Sequence, residues 1–158
     1  MRDLSFLDAL SSSDGAWVNF LDPRDGSQMP ERVRVVCIDS ERARQAEHQQ
    51  TVDLTERARL NPEEEQVPPP VIAKLSAEFV ARCTTDIEGV LDGKPLGSTL
   101  EELTAFYIRF PVLRAQALAH IKRRANFLPP LSAGPNSGAK PKVGSTKNSR
   151  TARRAAAS

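Results

Sequence analysis

Residues 86–128 read DIEGVLDGKPLGSTLEELTAFYIRFPVLRAQALAHIKRRANFL, from Asp86 to Leu128, and four local signals follow one another along them. Asp92-Gly93 sits between Val90-Leu91 and Pro95-Leu96, and Asp-Gly supplies the positive φ angles that a two-residue turn requires. Thr99 and Glu102 have the spacing of a capping box, with Ser98 and Glu101 as the alternative pair one residue earlier. Leu100, Leu103, Phe106 or Tyr107, and Phe110 then recur at helical intervals. Pro111 has no amide hydrogen and disfavours helical geometry at Phe110, so one helix ends there and another begins. The second helix carries Val112, Leu113, Ala117, Leu118, Ile121 and Ala125, with Arg114, Lys122, Arg123 and Arg124 toward water. The stretch reads as core rather than as an active site.

Upstream, the pattern changes from helical to alternating. Ala16 to Leu21 and Arg32 to Ile38 are the strand candidates, the second alternating Arg32, Val33, Arg34, Val35 before an apolar end. The polar run from Asp22 to Pro30 between them is long enough for a wide hairpin. Trp17 and Phe20 lie three apart and face opposite sides of a regular strand. One is expected to pack against the helices and the other to mark a binding edge. Before the first strand, Arg2 to Leu10 has the makings of one or two helical turns, with Leu4, Phe6, Leu7 and Leu10 on one side, broken by Ser11 to Gly15.

Asp39-Ser40 offers a cap for a helix over Glu41 to Leu60. Its apolar residues are few (Ala43, Ala46, Val52, Leu54, Ala58 and Leu60), so it is expected to pack on one narrow stripe. Asn61-Pro62 ends it, and Glu63 to Pro70 reads as a linker stiffened by three prolines. Val71 to Cys83 resumes a helical pattern, with Ile72, Leu75, Phe79 and Val80 on one face. The expected architecture is α+β: a small N-terminal β-hairpin, a mostly helical body and a disordered basic C-terminal tail. Its segments are a hairpin and polar helix (1–60), a Pro/Glu linker (61–70), a helical unit with the Asp-Gly turn (71–128) and the tail (129–158). Whether the two halves share one core is open at this point.

The net charge of +2 hides an asymmetry, because residues 129–158 contain six cations and no acidic residue. The other 128 residues hold 16 basic and 20 acidic side chains, a balance of −4. The tail has no aromatic residue and is rich in Pro, Gly, Ser and Ala, too little apolar surface to offset its ordering entropy. No apolar run approaches the ~18 residues of a membrane span. The N-terminus lacks the basic region and continuous apolar core of an export signal. A soluble, unexported chain is expected.

The chain carries no G-x-x-x-x-G-K-[ST], G-x-G-x-x-G, H-E-x-x-H or G-x-S-x-G. Cys37 and Cys83 are 46 residues apart without a C-x-x-C, and His48 and His120 are the only other soft ligands, so two buried free thiols are expected rather than a disulfide or a zinc site. Glu63, Glu64 and Glu65 read as a solvated charge run, and Glu101 and Glu102 as a favourable first helical turn. His120 lies near Gln116 and Arg124 without an orienting carboxylate, so a surface histidine is the simpler reading. No catalytic residue, metal or cofactor is expected, and the chain reads as a non-enzyme.

Several of these patterns coincide with those of one family. Gly89 to Leu96 follow G-V-x-D-G-x-P-L, Arg109 to Gln116 follow R-F-P-x-L-R-x-Q, and Arg124 to Leu128 follow R-x-N-F-L. Leu21 to Arg44 contain L-D-P-R-D-G, V-R-V-V and D-S-E-R-A-R. Together, over roughly Ala16 to Leu128, the chain resembles the siphophage tail assembly chaperones. In that family a strand precedes the D-G turn, often with an aromatic residue where Ile87 stands here. The resemblance implies a protein that binds the tape measure protein during tail assembly and recruits tail tube subunits in the cytoplasm of the bacterial host. The expected contacts are the aromatic and apolar residues Trp17, Phe20, Phe106, Phe110 and Leu113, since such side chains dominate interface energetics. The competing reading is a small adaptor whose basic tail binds nucleic acid weakly and without sequence preference. As to folding, deletion of residues 129–158 is expected to leave the thermal midpoint of the chain within about 1 °C, the response of a segment that adds nothing to the core; a fall of many degrees in a melting curve would overturn that expectation.

Overall fold

Period-two alternation places Val18, Phe20, Val33, Val35 and Ile87 on one side of a sheet and charged residues on the other. The computed structural model describes residues 3–12 and 14–130. Strands β1 (Ala16–Leu21) and β2 (Gln28–Val35) form the expected antiparallel hairpin, and β3 (Thr84–Glu88) pairs antiparallel with the far edge of β2, giving the order β1-β2-β3. The third strand comes from the other half of the chain. The outer face of the sheet is polar, with Arg32 bonded to Glu88 at 2.5 Å and stacked 4.2 Å over the Trp17 ring.

The second strand starts four residues earlier and ends three residues earlier than the Arg32 to Ile38 expected from its alternation. Met29, Pro30 and Glu31 form an irregularity: Asn19 faces Arg32 and Leu21 faces Gln28, so Phe20 alone spans three residues of β2. A bulge is where a strand tolerates proline, because no ladder donor is needed there. Val36, Cys37 and Ile38 leave the strand but stay anchored, the Val36 amide donating to the Cys83 carbonyl at 2.9 Å and that of Ile38 to the Ile121 carbonyl at 3.0 Å.

Ser40 then caps α1 (Glu41–Leu60), its hydroxyl accepting from the Ala43 amide. Only Ala43 and Ala46 of this helix are buried, the narrow stripe that its composition implies. Helix α2 (Pro69–Cys83) starts two residues earlier than the linker reading allowed. Pro69 and Pro70 belong to its first turn, where a missing amide hydrogen costs nothing, and the linker stops at Pro68. Leu75, Phe79 and Val80 are buried as expected, whereas Ile72 is 54% exposed. Within the linker, Glu64 is no free charge: it takes two hydrogen bonds from the Arg57 guanidinium, at 2.8 and 3.0 Å.

A second two-stranded ribbon, β4 (Val90–Leu91) and β5 (Lys94–Pro95), closes through Asp92 (φ 52°) and Gly93 (φ 77°), the type I′ geometry that Asp-Gly favours. Thr99 and Glu102 complete a reciprocal capping box on α3 (Leu100–Arg109). Phe110 breaks the helix, and α4 (Pro111–Lys122) begins at the proline. That helix ends sooner than its apolar pattern indicated; Ala125 lies in a short 3-10 turn, Arg124–Asn126, whose Arg124 is paired with Asp39.

Phe20, Val33, Val35, Ala43, Ala46, Val80, Leu103, Tyr107 and Ile121 all belong to one buried cluster. Residues 1–60 and 71–128 are therefore not separate units; they share a single core, and residues 1–128 form one compact body. The expected disorder of the basic tail falls on residues that, from 131 onward, lie outside the described ones. Both cysteines are buried and unbridged.

At the centre of that core, helix α2 passes into β3 with no intervening loop, and Thr84 sits at the junction, 1% exposed. Its hydroxyl donates to the Val80 carbonyl at 2.8 Å, so its lone pairs must accept the bond from the Tyr107 hydroxyl, also at 2.8 Å. Burial pushes the Tyr107 phenol above its usual range, which keeps that proton in place. Thr84→Val strands the buried Tyr107 donor and is expected to cost about 1–3 kcal/mol; Tyr107→Phe leaves Thr84 bonded to Val80 and costs about 1 kcal/mol. Urea unfolding of the two variants checks the order, and equal losses would refute this donor assignment.

Candidate partner-binding groove

The break between α3 and α4 creates an apolar concavity on the described surface. Pro111 cannot donate, and Phe110 adopts φ −121° and ψ 77°, leaving the helical path. Both helices still satisfy its backbone: the Phe110 amide donates to the Phe106 carbonyl, and its own carbonyl accepts from the Arg114 amide, each at 3.0 Å. The chain turns without an orphaned polar group, and the side chains of Phe106, Phe110, Val112 and Leu113 are turned toward the same hollow.

Two hairpin ends supply the other walls. From the tip of β1 and β2 come Pro23, Met29 and Glu31, and from the short ribbon Val90, Leu91 and Leu96. Gly89 seats that ribbon, since a Cβ there would lie 2.8 Å from Glu31 Cγ and 2.9 Å from a Leu96 methyl. The Leu96 amide donates to the Gly89 carbonyl at 3.0 Å and closes the ribbon's base. Arg109 ties the rim together, reaching Asp92 at 3.0 Å with its guanidinium 5.2 Å from the Phe110 ring centre. The groove's volume is about 390 Å³, within the size of ligand and anchor pockets. Val90 and Val112 stand 61% and 51% exposed on its edges.

Three of the five expected contact residues, Phe106, Phe110 and Leu113, line this groove. Phe106 is its floor, mostly buried against Phe20, Tyr107 and Phe110, the first with ring centres 6.1 Å apart. Phe20 itself is not a contact residue: it is fully buried, because the inward face of β1 is the face that meets the helices. Trp17 lies on the opposite face and lines a different, more polar hollow with Gln116, His120, Arg123 and Asn126. The expected single surface from Trp17 to Leu113 is thus two surfaces. Sequence reasoning missed Val90, Leu91, Leu96, Met29 and Val112 as groove residues; the apolar Val90, Leu91 and Leu96 flanking the Asp92-Gly93 turn were the signal that an apolar ribbon stood there.

The Trp17 hollow is braced by the side chain of Gln116. Gln116 uses its amide to bond both backbone groups of Leu21, accepting from the amide at 2.8 Å and donating to the carbonyl at 2.9 Å. It acts as a stand-in strand on the free edge of β1 and blunts it. His120 is half-buried there, its pKa lowered by burial and then by Arg123. Both thiols are buried, and burial pushes Cys83 up to about 12 and raises Cys37 as well, which disfavours the thiolate form. Among the described residues no group of three or more His, Cys, Asp or Glu side chains is placed to hold a metal ion, and no helix is long and apolar enough to cross a membrane.

Compared with protein-family models, curated proteins and solved structures, the chain matches none. The groove therefore rests on its own geometry. Phe20→Ala is expected to cost about 3–5 kcal/mol as a core deletion, whereas Val112→Asp on the groove's edge stays within about 0.5 kcal/mol of the parent. Chemical denaturation of both checks the assignment of floor and rim.

Proposed function

We propose that this chain is a non-enzymatic tail assembly chaperone that holds a phage tape measure protein in the groove between the α3–α4 break and the two hairpin tips, and recruits tail tube subunits to it in the cytoplasm of the bacterial host. What supports the reading is the coincidence of two independent features. The motif segments that resemble the family, Gly89 to Leu96 and Arg109 to Gln116, supply two of the groove's three walls. Their surface is apolar and open, with Val90 and Val112 standing in solvent.

The physical logic is that of helix-in-groove recognition. A long helical partner presents apolar residues at i, i+3, i+4 and i+7. A groove walled by Phe110, Leu113 and Leu96 accepts such anchors without a deep, shape-specific pocket. Affinity then comes from aromatic and aliphatic anchors at the centre, while Arg109 and Glu31 on the rim set orientation. An aggregation-prone partner is kept soluble when its own apolar stripe is covered in this way.

Co-expression with a tape measure protein tests the proposal. The full chain and a chain ending at residue 128 are both expected to keep that partner soluble at moderate salt. Val112→Asp and Val90→Asp, both on exposed positions, are expected to reduce the soluble complex about tenfold, the effect of about 1.4 kcal/mol lost at an anchor. If the partner precipitates with every version, and only the full-length chain retards DNA at low salt, the basic tail carries the binding and the chaperone reading fails.

A further inference from the structure

A second concavity, sharing no residue with the groove, lies where α1 packs beside the junction of α2 and β3. Arg42, Gln45 and Gln49 recur at i, i+3 and i+7 on α1 and so lie along one face of that helix. Arg82 from the last turn of α2, and Ser98 ahead of α3, complete the polar lining. Ala46, Leu100 and Leu103 give the hollow an apolar side. Its volume is about 450 Å³, and no carboxylate lines it.

The protein does not neutralise the two cations of this hollow. Arg42 is held by backbone: its Nε donates to the Arg82 carbonyl at 2.6 Å and its Nη2 to the Thr84 carbonyl at 3.3 Å, satisfying carbonyls that α2 leaves open at its C-terminal end. These bonds fix the plane of the guanidinium and leave Nη1 unbonded, yet cancel none of its charge. The half-buried Arg82 has no ion-pair partner among the described residues, and neither has Arg42. Because Arg42 bonds the carbonyl of Arg82, the two charged residues are neighbours in space. Three carboxylates of the same helices are engaged elsewhere: Glu41 accepts from Gln45 at 3.3 Å, Asp53 accepts from Gln49 at 2.9 Å, and Glu78 lies 3.9 Å from Lys74.

We propose that this hollow binds a small phosphate monoester, with its phosphate held by Arg42 and Arg82 and its carbon body against Leu100 and Leu103. Two guanidiniums match a dianion, and a phosphate monoester carries about −1.5 to −2 charges near neutral pH. The planar fork of arginine fits two phosphate oxygens at once. A carboxylate, with a single charge, leaves one of the two cations uncompensated. The volume lies within the ~300–1,000 Å³ of small-molecule sites and exceeds what a bare oxyanion fills, so the ligand carries carbon as well as charge. Seated there, it bridges α1 to the α2–β3 junction, and its binding energy adds to the stability of the fold.

The test uses the full-length chain with phenyl phosphate as the probe, against sodium chloride of equal ionic strength. At roughly ten times a Kd of about 1 mM, the thermal midpoint is expected to rise by about 4 °C. Benzoate, which keeps the ring and carries one charge, is expected to give less than half of that rise. Acidification through about pH 6, where the monoester loses a charge, is expected to shrink it. Amide shifts in nitrogen-15 spectra are expected to change around Arg42 to Gln49, Ala81 to Thr84 and Ser98 to Leu103. Arg82→Gln is expected to keep its midpoint in chloride within about 2 °C of the parent, as a residue without a partner does, and to lose the rise. An equal rise in Arg82→Gln, an equal response to benzoate, or shift changes confined to the basic tail overturns the proposal. The shift map of the parent decides the location by itself if the variant proves unstable.

Discussion

Thr84 is the residue on which the rest of the fold depends. It ends a helix and starts a strand at one position, so the direction of β3, and with it the third strand of the sheet, is fixed by how α2 ends. Its hydroxyl is bonded on both sides, to Val80 on α2 and to Tyr107 on α3, at 2.8 Å each. Arg42 of α1 adds bonds to the Arg82 and Thr84 carbonyls at 2.6 and 3.3 Å, covering the start of β3. Two helices and a strand thus meet at one buried polar point. In a core otherwise built of Val, Ala, Leu and Phe, a polar chain of this kind gives the packing one register, because any slip leaves a buried hydroxyl unpaired.

The groove follows from that registration. Tyr107 faces Thr84 from the buried side of α3, and its neighbour Phe106 faces Phe20 one position away. Both orientations leave the end of α3 standing over the β1–β2 hairpin tip. The chain must then reverse to bury Ala117 and Ile121, and Pro111 supplies the break. A continuous helix through residues 100–122 would carry Phe110 and Leu113 past the core. The kink brings them back beside Leu96 and Met29 instead, on the margin of the core rather than within it. The apolar surface left there is a geometric remainder of closing four helices onto a three-stranded sheet, and it is the remainder that is available for binding.

Much of this was legible in the sequence wherever a signal is local. The capping box at Thr99, the Asp-Gly turn, the Ser40 cap, the break at Pro111 and the extent of α1 are each set by a few adjacent residues. What was not legible depends on partners distant in sequence. Thr84 to Glu88 has too little alternation to announce a strand by itself; β2 makes it one. Pro69 and Pro70 read as linker stiffeners because proline serves equally in an extended linker and a first helical turn. Phe20 and Trp17 were known to face opposite ways, but only the position of the helices decides which way is inward. The groove drew Phe106, Phe110 and Leu113 from the readable break, and Val90, Leu91 and Leu96 from a ribbon whose position no sequence pattern states.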